Sequence, residues 1–369
     1  MCHTTSISNV LVINPGSTST KIAVFDRSEA VWQTTIRHTA EELSQYGSIN
    51  EQFPFRKQLV LEQLSAAGIE LSSLQAIIGR GGLINPVTSG IYRVNELMKE
   101  HLRAGVQGSH ACNLGGLISA DIAAMCPHNV QAYIADPEAI DEMQPQARIA
   151  GHPLFERRSL FHALNQKAVA RIYARETGIP YEQLNLVVAH LGGGISVGAH
   201  RKGYVIDVNQ GLDGEGAFSP ERSGTLPAGQ LVAICFSGKY TREEVAEMLN
   251  GKGGLTAMCN SNNVEKLVDE AQSGNKKTEL ILDAMCYQVA KEIGAMSTAL
   301  KGEVNCIILT GGIACNRWIT DKIAQYIQFI APVRIYPGED EMAALAMNVQ
   351  MAISGEIVPK EYHVKSHVG

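Results

Sequence analysis

Two segments of the sequence place small and polar residues between apolar runs, which is the pattern of a β-hairpin. The first spans residues 10–26, and its turn groups the polar side chains of Asn14, Ser17, Ser19 and Lys21. The second spans residues 186–200, and its turn consists of Gly192, Gly193 and Gly194. Turns of small residues let backbone N–H groups approach an anion closely. We therefore predict that the two turns hold the two ends of a polyphosphate.

Two arginines lie where the chain is rich in glycine. Arg80 stands between glycines at the exit of a short apolar strand, and Arg222 lies in the irregular stretch 209–229. The planar fork of a guanidinium matches carboxylate and phosphoryl oxygens. Both side chains are therefore candidates for gripping an acid and a transferring phosphoryl group, although an arginine among glycines can also be a surface turn residue.

One aspartate and two histidines complete the set of candidates. Asp136 directly follows the predicted strand 130–135 and precedes a proline, so its carboxylate is placed at the edge of a sheet. His162 lies on the predicted helix 153–177, opposite its apolar stripe, from which an imidazole could donate to a phosphoryl oxygen. His190 precedes the second turn, where it is either a ligand contact or a packed ring.

The composition excludes several classes of function. The 369-residue chain has a formal net charge of −6 and no long run of Lys or Arg, which argues against nucleic acid as a partner. No apolar run approaches the roughly 20 residues that span a bilayer, so no membrane partner is expected. The eight cysteines show no CxxC spacing, which is typical of reduced thiols in a cytoplasmic protein.

Strands and helices alternate along the chain, which predicts an α/β fold with helices layered on mixed sheets. A hairpin opens each half, so we expect two related domains joined near residue 150 with a cleft between them. Neither GxxxxGK[ST] nor GxGxxG occurs, which excludes the common nucleotide-binding loops. The hairpin type of phosphate binder remains.

The chain resembles the superfamily of acetate and sugar kinases, actin and chaperone ATPases, and within it the short-chain carboxylate kinases. The resemblance covers nearly the whole chain, and its blocks occur in family order: 14–21, 79–82, 135–137, 151–153, 159–167, 189–194, 220–224 and 310–313. Acetate kinases carry Asn in the turn that here reads His190-Leu-Gly-Gly-Gly, and their segment at 161–166 differs too. These departures favour the branch that acts on butyrate or branched-chain acids.

This resemblance implies two duplicated ribonuclease H-like (actin-like ATPase) domains flanking a nucleotide cleft. The N-terminal domain would comprise residues 1–150 plus about 340–369, and the C-terminal domain residues 151–339. The implied reaction is reversible, direct in-line phosphoryl transfer between ATP and butyrate, giving ADP and butyryl phosphate. Acetate, propionate or branched-chain acids are the alternative substrates, and a nucleotide-dependent conformational protein is the alternative without catalysis.

The family pattern also implies roles for individual residues. The first turn with Lys21 would hold the transferring end of the polyphosphate, and the second turn the nucleotide phosphates. Arg222 would stabilise the transition state, His162 would donate to the transferring phosphoryl group, and Arg80 would grip the acid by equivalence of role. Asp136 would orient the substrate carboxylate or a Mg²⁺-bound water.

The resemblance further implies a place for the nucleotide base and for a metal ion. The adenosine would lie over Gly311, Gly312 and Asn316. For Mg²⁺ we expect Asp136 and Glu341, with Glu339 as the alternative to the latter. Relatives tend to carry an aspartate near Asn263, so nucleotide preference is in question there. Members of the family are commonly dimers or higher assemblies, which implies a homo-oligomer.

Overall fold

The computed structural model describes residues 9–212 and 214–363. The chain divides into two compact units: residues up to Ile140 together with those from Asp340 onward form unit 1, and Asp141–Glu339 form unit 2. The division falls somewhat earlier than the domain boundary near residue 150 that the sequence suggests.

The strands are β1 Asn9–Pro15, β2 Ser19–Asp26, β3 Glu29–Arg37, β4 Leu74–Arg80, β5 Ile91–Arg93, β6 Gln131–Ala135, β7 Asn185–Leu191, β8 Ile195–Arg201, β9 Tyr204–Val208, β10 Cys306–Gly311 and β11 Val333–Pro337. The α-helices are α1 Ala40–Ser44, α2 Phe53–Ala66, α3 Glu96–Ala104, α4 Asn113–Met125, α5 Pro145–Arg148, α6 Ala163–Thr177, α7 Ala228–Cys235, α8 Arg242–Leu249, α9 Gly254–Cys259, α10 Val264–Gln272, α11 Lys276–Ala299, α12 Arg317–Ile327 and α13 Glu341–Ile353.

Unit 1 is built on a mixed sheet with the strand order β3-β2-β1-β4-β6-β5. Its centre consists of β1 and β4, which pair in parallel and are almost entirely buried. Such continuous apolar runs are typical of strands covered on both faces. Helices α4 and α13 pack against these central strands. This packing fixes the end of β1, where the first hairpin turn begins, and the end of β4, where Arg80 lies.

Unit 2 repeats this plan with the strand order β11-β10-β7-β8-β9. The antiparallel hairpin of β7 and β8 carries the second glycine turn, and β10 lies parallel to β7 on its other side. Helix α11 packs on β7, β8 and β9 and brings Leu282, Val289 and Ile293 into the core. The mixed α/β architecture with a hairpin at the centre of each sheet confirms the predicted fold class.

Most predicted elements are present, and one is wrong over part of its length. The hairpins at 10–26 and 186–200 form as antiparallel pairs. The predicted helix 153–177 begins only at Ala163, with His162 as its N-terminal cap residue. The preceding segment instead reverses direction in a turn, in which Phe155 N donates to His152 O, Ile149 bridges to Glu156 and the backbone N–H of Arg157 donates to Arg148 O. Within the described ranges, no helix has the length and apolar character needed to cross a membrane.

Candidate active site

The first hairpin turn of unit 1 directs its carbonyl groups toward the protein. Gly16 N donates to Ser19 O, and His38 N donates to Thr18 O. The carbonyls of Gly16, Ser17 and Ser19 accept from the guanidinium of Arg56 at 2.7, 3.1 and 3.2 Å. The backbone N–H groups of Ser17 and Thr18 have no acceptor in the described part of the chain, and both residues are exposed. The turn therefore presents donors outward, as an anion site requires.

Alternation along β1 and β2 places Asn14, Ser19 and Lys21 on one face of the sheet, while Ser17 lies in the turn before β2. Asn14 is the direct cross-strand partner of Lys21, so the two side chains share one face of the sheet. Ser19 lies two residues before Lys21 and shares that face, while Thr20 and Ile22 between and beyond them are buried on the other. Lys21 is exposed at the end of the hairpin.

A cluster of polar side chains lies where α13 begins beside β1 and β4. Glu341 Oε2 accepts from Asn14 Nδ2 at 2.7 Å and from Arg80 Nη1 at 3.1 Å. Arg80 Nε is 2.7 Å from Glu138 Oε1. Burial by itself lowers the pKa of Arg80, but the two carboxylates outweigh that effect and raise it. Arg80 Nη2 and Glu341 Oε1 have no hydrogen-bond partner in the described residues, so both can take a ligand.

The Asp136 carboxylate is committed to a neighbouring loop. Its Oδ1 accepts from Ser89 Oγ at 2.6 Å and from Gly90 N at 2.8 Å, and the residue is only 1% exposed. Its backbone has a φ of 39°, which is the left-handed region that few non-glycine residues adopt. Asp136 thus lies at the end of β6 as predicted, with one oxygen holding the Ser89–Gly90 backbone in place.

In unit 2 the second hairpin turn packs directly against Arg222. A Cβ added to Gly194 would lie 1.7 Å from Arg222 Nη1, so glycine is required for this contact. Arg222 Nη1 donates to Gly211 O, Nε donates to Asn250 Oδ1 at 3.3 Å, and burial lowers the pKa of the guanidinium. The turn itself is anchored through Gly193 O, which accepts from Ser219 Oγ at 2.6 Å.

His162 and His190 stack on one another beside this turn, with ring centroids 3.9 Å apart and planes inclined by 13°. His190 is 1% exposed; its Nδ1 lies 2.8 Å from Asn165 Oδ1 and its Nε2 lies 3.3 Å from Glu339 Oε2. His190 is therefore a packed ring with polar partners in the protein, and its role as a ligand contact stays a prediction.

A chain of buried hydrogen bonds runs from the Tyr181 hydroxyl to His162 Nδ1. His200 has a pKa held well below 6.5 by burial and is neutral, and its Nδ1 faces the Tyr181 hydroxyl at 2.7 Å. His200 Nε2 then donates to Gln166 Oε1, and Gln166 Nε2 donates to Ser196 Oγ at 2.9 Å. Ser196 Oγ is left to donate to His162 Nδ1 at 2.8 Å. This direction assigns the remaining His162 proton to Nε2.

A cavity of about 440 Å³ lies entirely within unit 2, a size that suits a nucleotide moiety. Its lining includes Gly192 and Gly193 of the second turn and Gly312 and Asn316 after β10. Gly311 stands just before it with a φ of 91°, and an added Cβ would lie 2.4 Å from Leu191 O. Four of the predicted nucleotide residues are thereby brought to one cavity, and Gly311 fixes the turn on which two of them lie.

The structure gives different surroundings to the acidic and amide residues between which the sequence could not decide. Glu339 lies in unit 2 on His190, whereas Glu341 lies in unit 1 on Asn14 and Arg80. Asn263 caps α10 by accepting from Lys266 N at 3.0 Å, while Asn262 lines the cavity. No cluster of three or more His, Cys, Asp or Glu side chains suited to a metal occurs in the ranges described.

Arg56 and Ser196 carry no sequence signal of their own, and Gln166 is marked only as part of the block 159–167. Arg56 lies on α2, far along the chain from the turn that it holds, and Gln166 and Ser196 orient His162 from inside the core. Glu138 follows Asp136-Pro137 closely enough that its pairing with Arg80 could have been suspected, because β4 and β6 are parallel neighbours.

Comparisons with known proteins agree on one family. The Acetokinase family matches residues 146–331. Butyrate kinase 1 and butyrate kinase 2 of Clostridium acetobutylicum are 54% and 52% identical to this chain, each over 96% of this chain and 99% of its own length. The acetate kinase of Porphyromonas gingivalis has the same fold, with a TM-score of 0.77 at 16% identity over 93% of this chain and 99% of that one. The chain belongs to the acetokinase family.

Proposed function

We propose that this protein is an ATP-dependent kinase of short-chain carboxylic acids, with butyrate as its substrate. The reaction is ATP + butyrate giving ADP + butyryl phosphate, reversible and by direct in-line transfer. The geometric observation that carries the proposal is Arg80, whose Nε and Nη1 are held by Glu138 and Glu341 while Nη2 stays available for an acid. The extent of identity to two butyrate kinases supports butyrate over acetate or propionate.

Phosphoryl transfer mainly requires alignment and neutralisation of charge. In unit 1, the Ser17 and Thr18 N–H groups and Lys21 would bind the transferring phosphoryl group, and Asn14 and Ser19 would border it. Asp136 would act by holding the Ser89–Gly90 loop, with any part in metal binding still a prediction.

In unit 2, Arg222 would stabilise charge on the phosphoryl group in the transition state, and His162 would donate to it from Nε2. The turn at Gly192, Gly193 and Gly194 would bind the nucleotide phosphates, and the cavity beside Gly311, Gly312 and Asn316 would accept the adenosine of ATP or ADP. His190 would hold the ring of His162 in place by stacking.

Mg²⁺ would accompany the nucleotide and neutralise its phosphate oxygens. The donor set in unit 1 fits this ion, because Mg²⁺ usually takes one or two carboxylates and completes its shell with water and substrate oxygens. Glu341 offers Oε1, which has no protein partner in the described residues, and α13 fixes its position at the first turn of the helix.

A hydroxamate assay tests the proposal. Purified protein is incubated with ATP, Mg²⁺, hydroxylamine and each acid from acetate through isovalerate, and kcat/KM is compared across the series. We expect a maximum at butyrate, with neighbouring acids reduced by about 10- to 100-fold per methylene. A maximum at acetate, propionate or a branched acid would replace butyrate, and no hydroxamate with any acid would leave the conformational-protein alternative.

We also propose that the protein works as a homo-oligomer in the cytoplasm. Helix α7 has no buried residue; its Val232 and Ile234 are 56% and 37% exposed, and Phe236, which follows its last residue, is 87% exposed. Residues 223–238 contain no charged side chain, so a second copy could cover this surface without like-charge repulsion. Size-exclusion chromatography with light scattering should give a dimer or larger, and Val232→Glu with Phe236→Glu should reduce its mass. Free cysteines throughout the described residues support a reducing compartment.

A further inference from the structure

Arg56 is a fully buried arginine whose donors all meet neutral acceptors. It has no exposed surface, and Nε and Nη2 donate to Gln52 Oε1 at 3.0 and 2.8 Å. The remaining donors reach the first hairpin turn, namely the carbonyls of Gly16, Ser17 and Ser19 and the Thr20 hydroxyl. A guanidinium has five N–H donors, and all of them are used.

No carboxylate neutralises this charge. In residues 9–212 and 214–363, no Asp or Glu oxygen lies within ion-pair distance of Arg56. Burial lowers the pKa of Arg56 to about 10, so the side chain still carries its charge at neutral pH. Burying an unpaired charge is unfavourable for folding. The five donors of the guanidinium explain how it braces the turn, but they do not offset the cost of its buried charge.

The buried charge of Arg56 lies on the inner side of the same turn whose free N–H donors face outward. Because Arg56 draws three carbonyls inward, the N–H groups of Ser17 and Thr18 are left without protein acceptors on the opposite side. The peptide dipoles of the turn and the guanidinium therefore act in the same direction, and both favour an anion at the exposed side.

We propose that Arg56 is a positioning residue for the transferring phosphoryl group. It sets the conformation of the 16–19 turn, and its buried charge is balanced by the phosphoryl anion that binds on the other side of that turn. The inference rests on the proposed function for the identity of the anion, but the positive, outward-facing turn is a property of the chain itself.

The test compares Arg56→Lys and Arg56→Gln in the full-length protein with matched controls at Arg103, an exposed residue of α3, namely Arg103→Lys and Arg103→Gln. Arg56→Lys keeps the charge and loses the fork, and Arg56→Gln loses both. Activity is measured with ATP and butyrate, and thermal unfolding is measured with and without inorganic phosphate, which stabilises a protein that binds it in the folded state.

We expect kcat to fall about 10-fold in Arg56→Lys and about 10²-fold or more in Arg56→Gln, with KM for butyrate within about 2-fold of the parent value. Stabilisation of the protein by phosphate should shrink in Arg56→Lys and disappear in Arg56→Gln, and the Arg103 variants should match the parent protein. If Arg56→Gln does not fold, Arg56→Lys decides by the same two measurements.

Two results would overturn the inference. One is a folded Arg56→Gln with kcat within about 3-fold of the parent protein, and the other is phosphate stabilisation that survives the loss of charge. A purely structural role of Arg56 would lower the unfolding temperature of the variants and leave turnover per folded molecule unchanged. That result would also count against the proposed positioning role. A parent protein without kinase activity refutes the proposed function, whereas the phosphate measurement still decides the role of Arg56.

Discussion

Gly194→Ala tests whether Arg222 works from the position that the second hairpin turn gives it. The new methyl group would lie 1.7 Å from Arg222 Nη1 and 2.4 Å from Cζ. To restore an ordinary contact of 3.4 Å, the guanidinium must retreat by about 1.7 Å. The clash involves the far end of a flexible side chain, so the hairpin should survive while the guanidinium is displaced.

A displacement of this size predicts a large and selective loss of activity. Misplacing a reacting group by about 1 Å can cost about 10² in rate, so kcat should fall about 10²-fold or more, with a small change in KM for ATP. Arg222→Ala should cost about 10³-fold or more, as expected for an arginine that stabilises transition-state charge. The double variant should be no slower than Arg222→Ala, because the methyl group then has nothing to displace.

The assay is hydroxamate formation with butyrate at saturating ATP, and Gly294→Ala is the matched control. Gly294 lies within α11, nothing lies within 4 Å of its added Cβ, and the substitution should leave kcat unchanged while adding about 0.5–1 kcal/mol of stability. A Gly194→Ala protein with kcat within about 2-fold of the parent protein would refute the idea that this contact positions Arg222 for catalysis. Additive losses in the double variant would refute it as well.

Four further perturbations follow from the described contacts. Asp136→Ala should lower the free energy of unfolding by about 2 kcal/mol in urea titrations, because Gly90 N and Ser89 Oγ lose their acceptor. Asp136→Asn should cost less, because the asparagine Oδ1 can accept the same two bonds without the charge and asparagine tolerates positive φ. Gly311→Ala, at φ 91° and 2.4 Å from Leu191 O, should destabilise by about 3 kcal/mol, while Gly312→Ala, with open space around its added Cβ, should unfold at nearly the parent temperature. Burial lowers the pKa of His38 from 6.5 to about 4, so the folded state disfavours protonation of the ring. The free energy of unfolding should therefore be highest above pH 6.5 and should fall by about 2 kcal/mol between pH 7 and pH 5. Urea titrations of His38→Gln should no longer show this loss. Gln166→Glu should reverse the hydrogen bond to Ser196, so ¹⁵N NMR should report a changed His162 tautomer and kcat should fall about 10-fold; an unchanged tautomer would contradict the assigned direction of the buried chain.

The parts of the molecule that the sequence predicts well are those set by local patterns. Alternating apolar residues on either side of a small-residue turn specify both hairpins, and with them the faces on which Asn14 and Lys21 lie. Gly194 and Arg222 were both expected in the site, but the close contact between them depends on the fold of the 209–229 stretch and has no local signature.

Other features depend on contacts between residues far apart in the sequence. Spacing favours Glu341 but leaves Glu339 as an alternative metal residue, because what distinguishes the two is a hydrogen bond from Asn14, which is distant in the sequence; the metal role itself stays a prediction. Helix α6 begins later than its periodicity predicts, because Arg157 is held by Ala147, Asp207 and Val208, and these contacts override the helical periodicity of its own segment. Arg56 carries helical periodicity and no motif, so nothing local distinguishes it from a surface arginine.

The discontinuous composition of unit 1 bears on the order in which the protein folds. Residues 141–339 form unit 2 without interruption, whereas unit 1 needs α13, whose Leu345, Ala346 and Val349 are buried where it packs on β1 and β4. A chain emerging from the ribosome can therefore complete its second unit before its first. Prior folding of unit 2 shortens the flexible loop that must close before α13 can pack on β1 and β4. The entropic cost of docking α13 is therefore lower. Until α13 docks, the central strands of unit 1 expose apolar surface, so the N-terminal part of the chain is prone to aggregate during synthesis.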